Sequence, residues 1–472
     1  MANKDKVPSG RAKVGDGHKP VRTATKKSGG VKTTYVFVQL QGKFVPAGRL
    51  DFYDRGLDVR KNINDPNRFA ASFQYGSRYA ARPDAIPVDP AMLPLPEPGA
   101  PTAPIATPEG FEVFNGIRDA SPDGWGRYLM TKAAPDKVYD EFDFLVASGD
   151  DRVGALAFGQ DPRAEPNRIE FWSHDDSTLM GKMPNLGCLV DAVDGVLESD
   201  DLPRESRILL DCGLSLGGAR PKATFDYMGK HWLAKFGTKS DGYQVNRAER
   251  SAMELAEKCG LDVPKTILRQ VGSTTVYLIR RFDRPDMGSG LTESPRTPFV
   301  SALTLLGAHE LMAHRYGYRD IAEAIRRYGS RPKEDLVELF RRMVLNILVG
   351  NDDDHLRNHG FLYEKKGWKL SPGYDITPKP QTGYSRRLVL EVGDHGKDAT
   401  LMNALSQCHV FGLRRDEAEI MVESMRKIVA ENWRHICGNN GIPDADMPRM
   451  ETCFREAMDP QGYDIGNQSK PQ

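Results

Sequence analysis

The feature that most constrains this chain is a long apolar helix pattern running straight into a knot of acidic and amide side chains. Leu336, Leu339, Phe340, Met343, Val344, Ile347 and Leu348 recur at i, i+3, i+4 and i+7, the spacing of a helix with one buried stripe. The pattern ends at Gly350, and Asn351-Asp352-Asp353-Asp354-His355-Leu356-Arg357-Asn358 follows directly. Acidic runs usually just solvate a chain end. Here the carboxylates crowd the C-terminal, negative end of the helix dipole, which is unfavourable unless a cation or an arginine compensates. The run therefore points to a metal or to function. A hairpin over 361–370 and then Tyr374-Asp375 come next, so two acidic loops flank one hairpin.

Elsewhere the 472 residues suffice for two or three domains. Residues 1–33 are basic, glycine-bearing and poor in large apolar side chains, so a disordered arm is expected there, and a disordered tail over 459–472. Order begins with alternating strands over 34–40 and 44–52. A Pro- and Ala-rich extended stretch covers 81–108, and a turn at 120–124 leads into a helix that Ser121 or Asp123 can cap. A helix over 141–147 and a strand over 153–158 follow. From Gly213 a glycine-rich turn opens a β-β-α-β-β series: strands over 222–227 and 231–236, a helix over 245–259, strands over 265–271 and 275–282. Past Pro285 the pattern is helical, with later helices over 401–407, 414–433 and 447–457. The expected fold class is α+β, two-lobed and protein-kinase-like. It comprises an N-terminal β-containing subdomain (34–160), an N-lobe (161–285) and an all-α C-terminal lobe (286–458).

Composition excludes several classes of function. Acidic and basic residues balance at 65 each, so no global field draws the chain onto nucleic acid or an anionic membrane. The six cysteines form no CxxC pair, and no apolar run reaches the length of a membrane span. The expected compartment is the cytoplasm.

Phosphoryl transfer needs a cover for the phosphates, a cation to neutralise them, a base facing the acceptor hydroxyl and ligands for Mg²⁺. Candidates for all four occur in order. Leu214-Ser215-Leu216-Gly217-Gly218-Ala219-Arg220-Pro221-Lys222 precedes a strand and can present backbone amides to ATP phosphates. It is no Walker A loop, and paired glycines also suit an ordinary hairpin. Lys235 places a charge inside the apolar run Leu233-Ala234-Lys235-Phe236 and requires an anion, with Glu249 a candidate partner. An edge-strand lysine that snorkels to water is the bland alternative. Asp353 stands five residues before Asn358, the base-to-ligand offset of protein kinases, and Asn358 with Asp375 can supply oxygens to Mg²⁺. His355 and Arg357 suit loop-orienting hydrogen bonds.

Together the 215–222 loop, Lys235, Arg281-Phe282-Asp283-Arg284, Asp353-x-His355-x-x-Asn358 and Tyr374-Asp375 resemble the HipA family of toxin–antitoxin kinases. The segment Arg118-Asp119-Ala120-Ser121-Pro122-Asp123-Gly124-Trp125-Gly126 looks like that family's first subdomain. The resemblance implies Asp353 as catalytic base, Asn358 and Asp375 as Mg²⁺ ligands, and Lys235 on the ATP phosphates. It places Gly217, Gly218, Ala219 and His355 about the nucleotide, with Arg280 and Phe282 on adenine-hinge positions, although Arg280 stands where an acidic residue is expected. It further implies Ser215 as an autophosphorylated, self-silencing serine. The implied partners are a helix-turn-helix antitoxin of the HipB type, operator DNA reached through it, and a protein substrate such as an aminoacyl-tRNA synthetase. A kinase for a small molecule or lipid, and a corepressor without catalysis, remain as alternatives.

Overall fold

The computed structural model describes residues 30–53, 70–172, 184–214, 217–286, 295–383 and 385–459. Most of the expected basic arm, nearly all of the expected tail and Ser215 lie outside them. Among the described residues no helix is long and apolar enough to cross a membrane.

The chain opens with β1 (Val31–Leu40) and β2 (Lys43–Tyr53), joined by Gln41-Gly42, both at positive φ (51° and 78°). Such a pair forms the tight turn whose twist matches an antiparallel hairpin. With β3 (Ala71–Tyr75), β4 (Ile105–Ala106) and β5 (Leu156–Gly159) they make a five-stranded sheet in the order β4-β3-β2-β1-β5. Short helices Asn115–Asp119, Gly124–Ala133 and Glu141–Ala147 lie between β4 and β5. Asp140 caps the last of these, its side chain accepting from the Asp143 amide. The expected cap at Gly124–Ala133 is not made: Asp123 occupies the cap position with no side-chain bond to the helix, and Ser121 Oγ donates to Glu141 instead, at 3.2 Å.

The β-β-α-β-β series is present as β6 (Lys222–Tyr227), β7 (Lys230–Phe236), helix Val245–Lys258, β8 (Thr266–Val271) and β9 (Thr274–Arg280). Strand order is β6-β7-β9-β8, all antiparallel. Period two sorts its side chains cleanly. Ala234, Phe236, Val276 and Leu278 join an outer core with Trp125, Leu129 and residues of helix Leu186–Glu198. Tyr277 and Ile279 face the opposite way, into a larger core with helix Val245–Lys258 and the C-terminal lobe.

The C-terminal lobe is built on helices Tyr318–Tyr328, Pro332–Leu348 and Arg415–Asn439. Proline opens the second of these, where its missing N–H costs nothing. Leu339, Phe340, Met343, Val344, Ile347 and Leu348 are buried, each worth about 1.5–3 kcal/mol relative to exposure. Two expectations need correction here. The lobe is not all-α: β10 (Phe299–Ser301), β11 (Gly360–Glu364) and β12 (Gly367–Leu370) form a three-stranded sheet. Three residues are too few for β10 to register as a period. The expected helix over 447–457 is also broken, into Met447–Glu451 and Arg455–Met458. Between them Cys453 and Phe454 bond three residues back, and Thr452 Oγ1 donates to the Arg449 carbonyl at 2.7 Å, so its hydroxyl competes for the helix ladder.

Candidate active site

A cleft of about 520 Å³ lies between the four-stranded sheet and the C-terminal lobe, a size usual for small-molecule sites. Leu233, Ile279, Phe282, Phe299 and Leu356 give it an apolar lining. Lys222, Lys235, His355, Asn358 and Asp375 give it a polar one.

Strand register brings the two lysines together. Lys222 pairs with Lys235 across β6 and β7, on the face opposite Ala234 and Phe236. Lys235 is 8% exposed, and its Nζ lies 2.6 Å from Glu249 Oε1 and 2.7 Å from Asp375 Oδ1. Burial works against the ammonium, but Asp375 and Glu249 outweigh it and hold Lys235 above its ordinary value. Lys235 in turn pulls the Asp375 carboxyl down to about 2, helped by Lys222 and His355. Glu249 goes the other way, since burial pushes its carboxyl up against the pull of Lys235. Asp375 adopts φ +60°, a left-handed conformation costing a side-chain-bearing residue about 1–3 kcal/mol. The lysine contact is consistent with what holds it there.

Lys222 was not singled out as a site residue from sequence, although the argument applied to Lys235, a charge entering an apolar strand, applies to it equally. Its Nζ donates to the Gly217 carbonyl. Burial, and then the neighbouring Lys235, lower its ammonium to about 8. The group is therefore cationic below that value and neutral above it. Affinity for inorganic tripolyphosphate is expected to fall as pH rises from about 7 to about 9, and titration calorimetry at the two values checks it.

The acidic run after the long helix separates into three different roles. Asp352 lies 3.3 Å from Lys379 Nζ and 3.5 Å from Arg386 Nη1, and Arg386 also donates to the Gly350 carbonyl at 2.6 Å. The compensating cations demanded by the helix dipole are these side chains. Asp354 is buried, accepting from His359 Nε2 at 2.9 Å and from the Tyr318 hydroxyl. Asp353 is exposed and does not line the cleft; its backbone carbonyl accepts from Asn358 Nδ2 at 3.2 Å. That bond ties the two ends of the loop together and leaves the Asn358 amide oxygen as its remaining polar atom.

The other expected residues are distributed as follows. Gly217, Gly218, Arg280, Phe282 and His355 line the cleft, and His355 Nδ1 is buried without a partner among the described residues. Ala219 is not among the lining residues and packs against Gly124: a Cβ on that glycine would meet the Ala219 Cα at 3.0 Å. Arg280 is ion-paired with Asp286. The Arg281–Arg284 turn proves to be a buried clamp. Asp283 accepts from Arg281 at 2.8 Å, Arg284 at 2.7 Å and the Gly154 amide at 2.8 Å, joining the sheet to the loop before β5.

The donor set suits Mg²⁺, which takes one or two protein oxygens and completes its shell with phosphates and water. Asp375 Oδ1 is engaged by Lys235, leaving Oδ2, and Asn358 offers its amide oxygen. Among the described residues no group of three or more His, Cys, Asp or Glu side chains could hold a metal.

A two-lobed α+β fold with this cleft is kinase-like. Residues 214–433 match the HipA-like C-terminal domain. The chain is similar to a putative kinase, Y4mE, of Sinorhizobium fredii, 30% identical over 131 residues, 27% of this chain and 31% of that one. It is also similar to the serine/threonine-protein kinase toxin HipA of Shewanella oneidensis, 24% identical over 188 residues, 34% of this chain and 42% of that one. These matches span about a third to two fifths of the relatives' own lengths. In fold the chain resembles a chain of the Shewanella oneidensis toxin–antitoxin complex of HipA, HipB and operator DNA. The TM-score is 0.61 at 16% identity, covering 90% of this chain and 96% of that one.

Proposed function

We propose that this chain is an ATP- and Mg²⁺-dependent serine/threonine protein kinase and the toxin of a toxin–antitoxin pair. The observation that carries the reading is the buried cluster in which Lys235 meets Glu249 and Asp375 at the cleft. A lysine held by a helix glutamate beside a metal-binding aspartate is the arrangement phosphoryl transfer uses to neutralise transferred charge. In this reading Lys235 and Lys222 bind the phosphates, and the adenine lies against the apolar lining near Phe282 and Arg280. Asn358 and Asp375 hold Mg²⁺, which neutralises charge on the transferred phosphoryl group. Asp353 takes the proton from the acceptor hydroxyl. In the same reading His355, whose Nδ1 is buried without a partner among the described residues, contacts a phosphate oxygen.

The family likeness supports the remaining elements of the proposal: a HipB-type antitoxin, operator DNA bound through it, a protein substrate of the aminoacyl-tRNA synthetase class, and silencing by phosphorylation of Ser215. Phosphate on Ser215 would add about −1.5 to −2 charge to the glycine-rich segment of the sequence. The protein is incubated with γ-labelled ATP, with Mg²⁺ or a chelator, alone and with cell extract. Mg²⁺-dependent label in protein is expected; absence of any transfer overturns the reading in favour of a non-catalytic corepressor. Label in a lipid or small-molecule fraction would reassign the acceptor. Ser215→Ala is expected to abolish self-labelling while transfer to other protein persists, as read by phosphopeptide mapping.

A further inference from the structure

We infer that Asp123, a residue of the N-terminal subdomain, is a positioning residue for phosphoryl transfer, its carboxylate tying the glycine-rich loop to the catalytic loop. The inference rests on the kinase reading and adds a part to it.

Asp123 Oδ2 accepts from the Gly218 amide at 3.3 Å and from Arg357 Nη1 at 3.3 Å. Its Oδ1 accepts from Arg118 Nη2 at 3.2 Å. One carboxylate oxygen is therefore shared between the two loops that a nucleotide would lie between. Trp125 reinforces the contact: its amide donates to the Gly218 carbonyl at 3.1 Å, and its indole Nε1 to the Lys222 carbonyl at 2.9 Å. Gly218 thus has both backbone groups engaged, and the residue carrying the second cleft ammonium is held by its carbonyl. The approach requires glycine: a Cβ at Gly126 would fall 2.1 Å from the Leu214 carbonyl oxygen.

On the other side Arg357 lies between His355 and Asn358, and its carbonyl accepts from the Tyr374 hydroxyl at 2.6 Å. A shift of Arg357 is therefore felt at the metal-ligand positions Asn358 and Asp375. The bland role for Asp123 would be helix capping, and that role is not used: it stands at the cap of Gly124–Ala133 with no side-chain cap bond. Burial alone would raise its carboxyl, but Arg118 and Arg357 outweigh burial and hold it at about 2. It stays anionic at any working pH, so the tie is permanent and not a proton switch.

The test uses the full chain. Asp123→Asn, Arg357→Gln and the double variant are compared with wild type for ATP affinity, KM for ATP, kcat and unfolding midpoint. Expected are KM for ATP up about tenfold in each single variant, the size of one charge-assisted hydrogen bond, and a double variant no worse than the worse single; the midpoint of Asp123→Asn also falls, because a neutral amide no longer offsets Arg118 and Arg357. A merely structural role would shift the midpoint and leave KM alone. Asp123→Asn with wild-type KM, or single effects that multiply in the double variant, overturns the inference while the kinase reading stands. Because Asp123→Asn lowers the midpoint, Arg357→Gln decides from the other side: unchanged KM there overturns it. A wild type that neither binds nor uses ATP removes the kinase reading, and the inference falls with it.

Discussion

Asp353→Asn is expected to lower phosphoryl transfer by about 10²–10⁴-fold, the range a positioned general base supplies, while ATP affinity and stability stay at wild-type levels. The separation follows from where the residue sits. Its side chain is exposed and outside the cleft lining, and the contact that organises the loop runs from Asn358 Nδ2 to its backbone carbonyl, which the substitution leaves in place. The neighbouring carboxylates behave differently. Asp354 is buried with His359 and Tyr318, and Asp352 is paired with Lys379 and Arg386. Single-turnover transfer and nucleotide titration on the same preparation check the expectation. Loss of ATP binding in Asp353→Asn would mean that its carboxylate serves the nucleotide rather than the acceptor.

Lys235→Met is expected to stop transfer and also to destabilise the fold by about 3–5 kcal/mol at neutral pH, the usual cost of removing one partner from a buried ion pair. Glu249 is 3% exposed and would be left without its cation. The pH dependence has a definite sign. Asp375 is lowered to about 2 in the fold, chiefly by Lys235. Its contribution to wild-type stability is present above the ordinary aspartate range, near pH 4, and is lost as pH falls toward 2. In the variant most of that contribution is gone, only the pull of Lys222 and His355 remaining, and Glu249 is freer to take a proton. The gap between wild type and variant should therefore be widest at neutral pH and narrow below about pH 4, as read by denaturant unfolding. Lys235→Arg separates the two effects: its charge should retain stability, while a planar fork in place of a point charge should still impair transfer.

Much of this architecture was legible because it is local. The β-β-α-β-β series, the long helix and the hairpin at 361–370 each announce themselves by period and by turn residues such as Gly350, whose φ is +66°. Lys235 was legible because a charge in an apolar strand is costly. What could not be read were roles set by partners distant in the chain. Nothing near Asp354 says that Tyr318 will close over it, and nothing near Asp352 names Arg386. The helix-dipole argument demanded cations for the acidic run, yet Asp352 found them in ordinary side chains, and Asp354 is taken up by hydrogen bonds from Tyr318 and His359. That leaves position beside Asn358, rather than charge crowding, as the argument for Asp353. Asp123 was, with Ser121, one of two candidate helix caps; only the folded chain shows its carboxylate spent on two other loops.

The four-stranded sheet has apolar packing on both faces, which is why Trp232-Leu233-Ala234 and Val276-Tyr277-Leu278-Ile279 read as nearly unbroken apolar runs. It works as a wall shared by two rooms. Lys222 and Lys235 hang on one side of it, and Trp125, Leu129 and helix Leu186–Glu198 press on the other. Close-packed interiors transmit strain instead of absorbing it, so helices Gly124–Ala133 and Leu186–Glu198 are mechanically in series with the two cleft lysines. A void opened behind the wall, at Trp125 or Leu278, would be felt at those ammonium groups without any change to the residues that line the cleft.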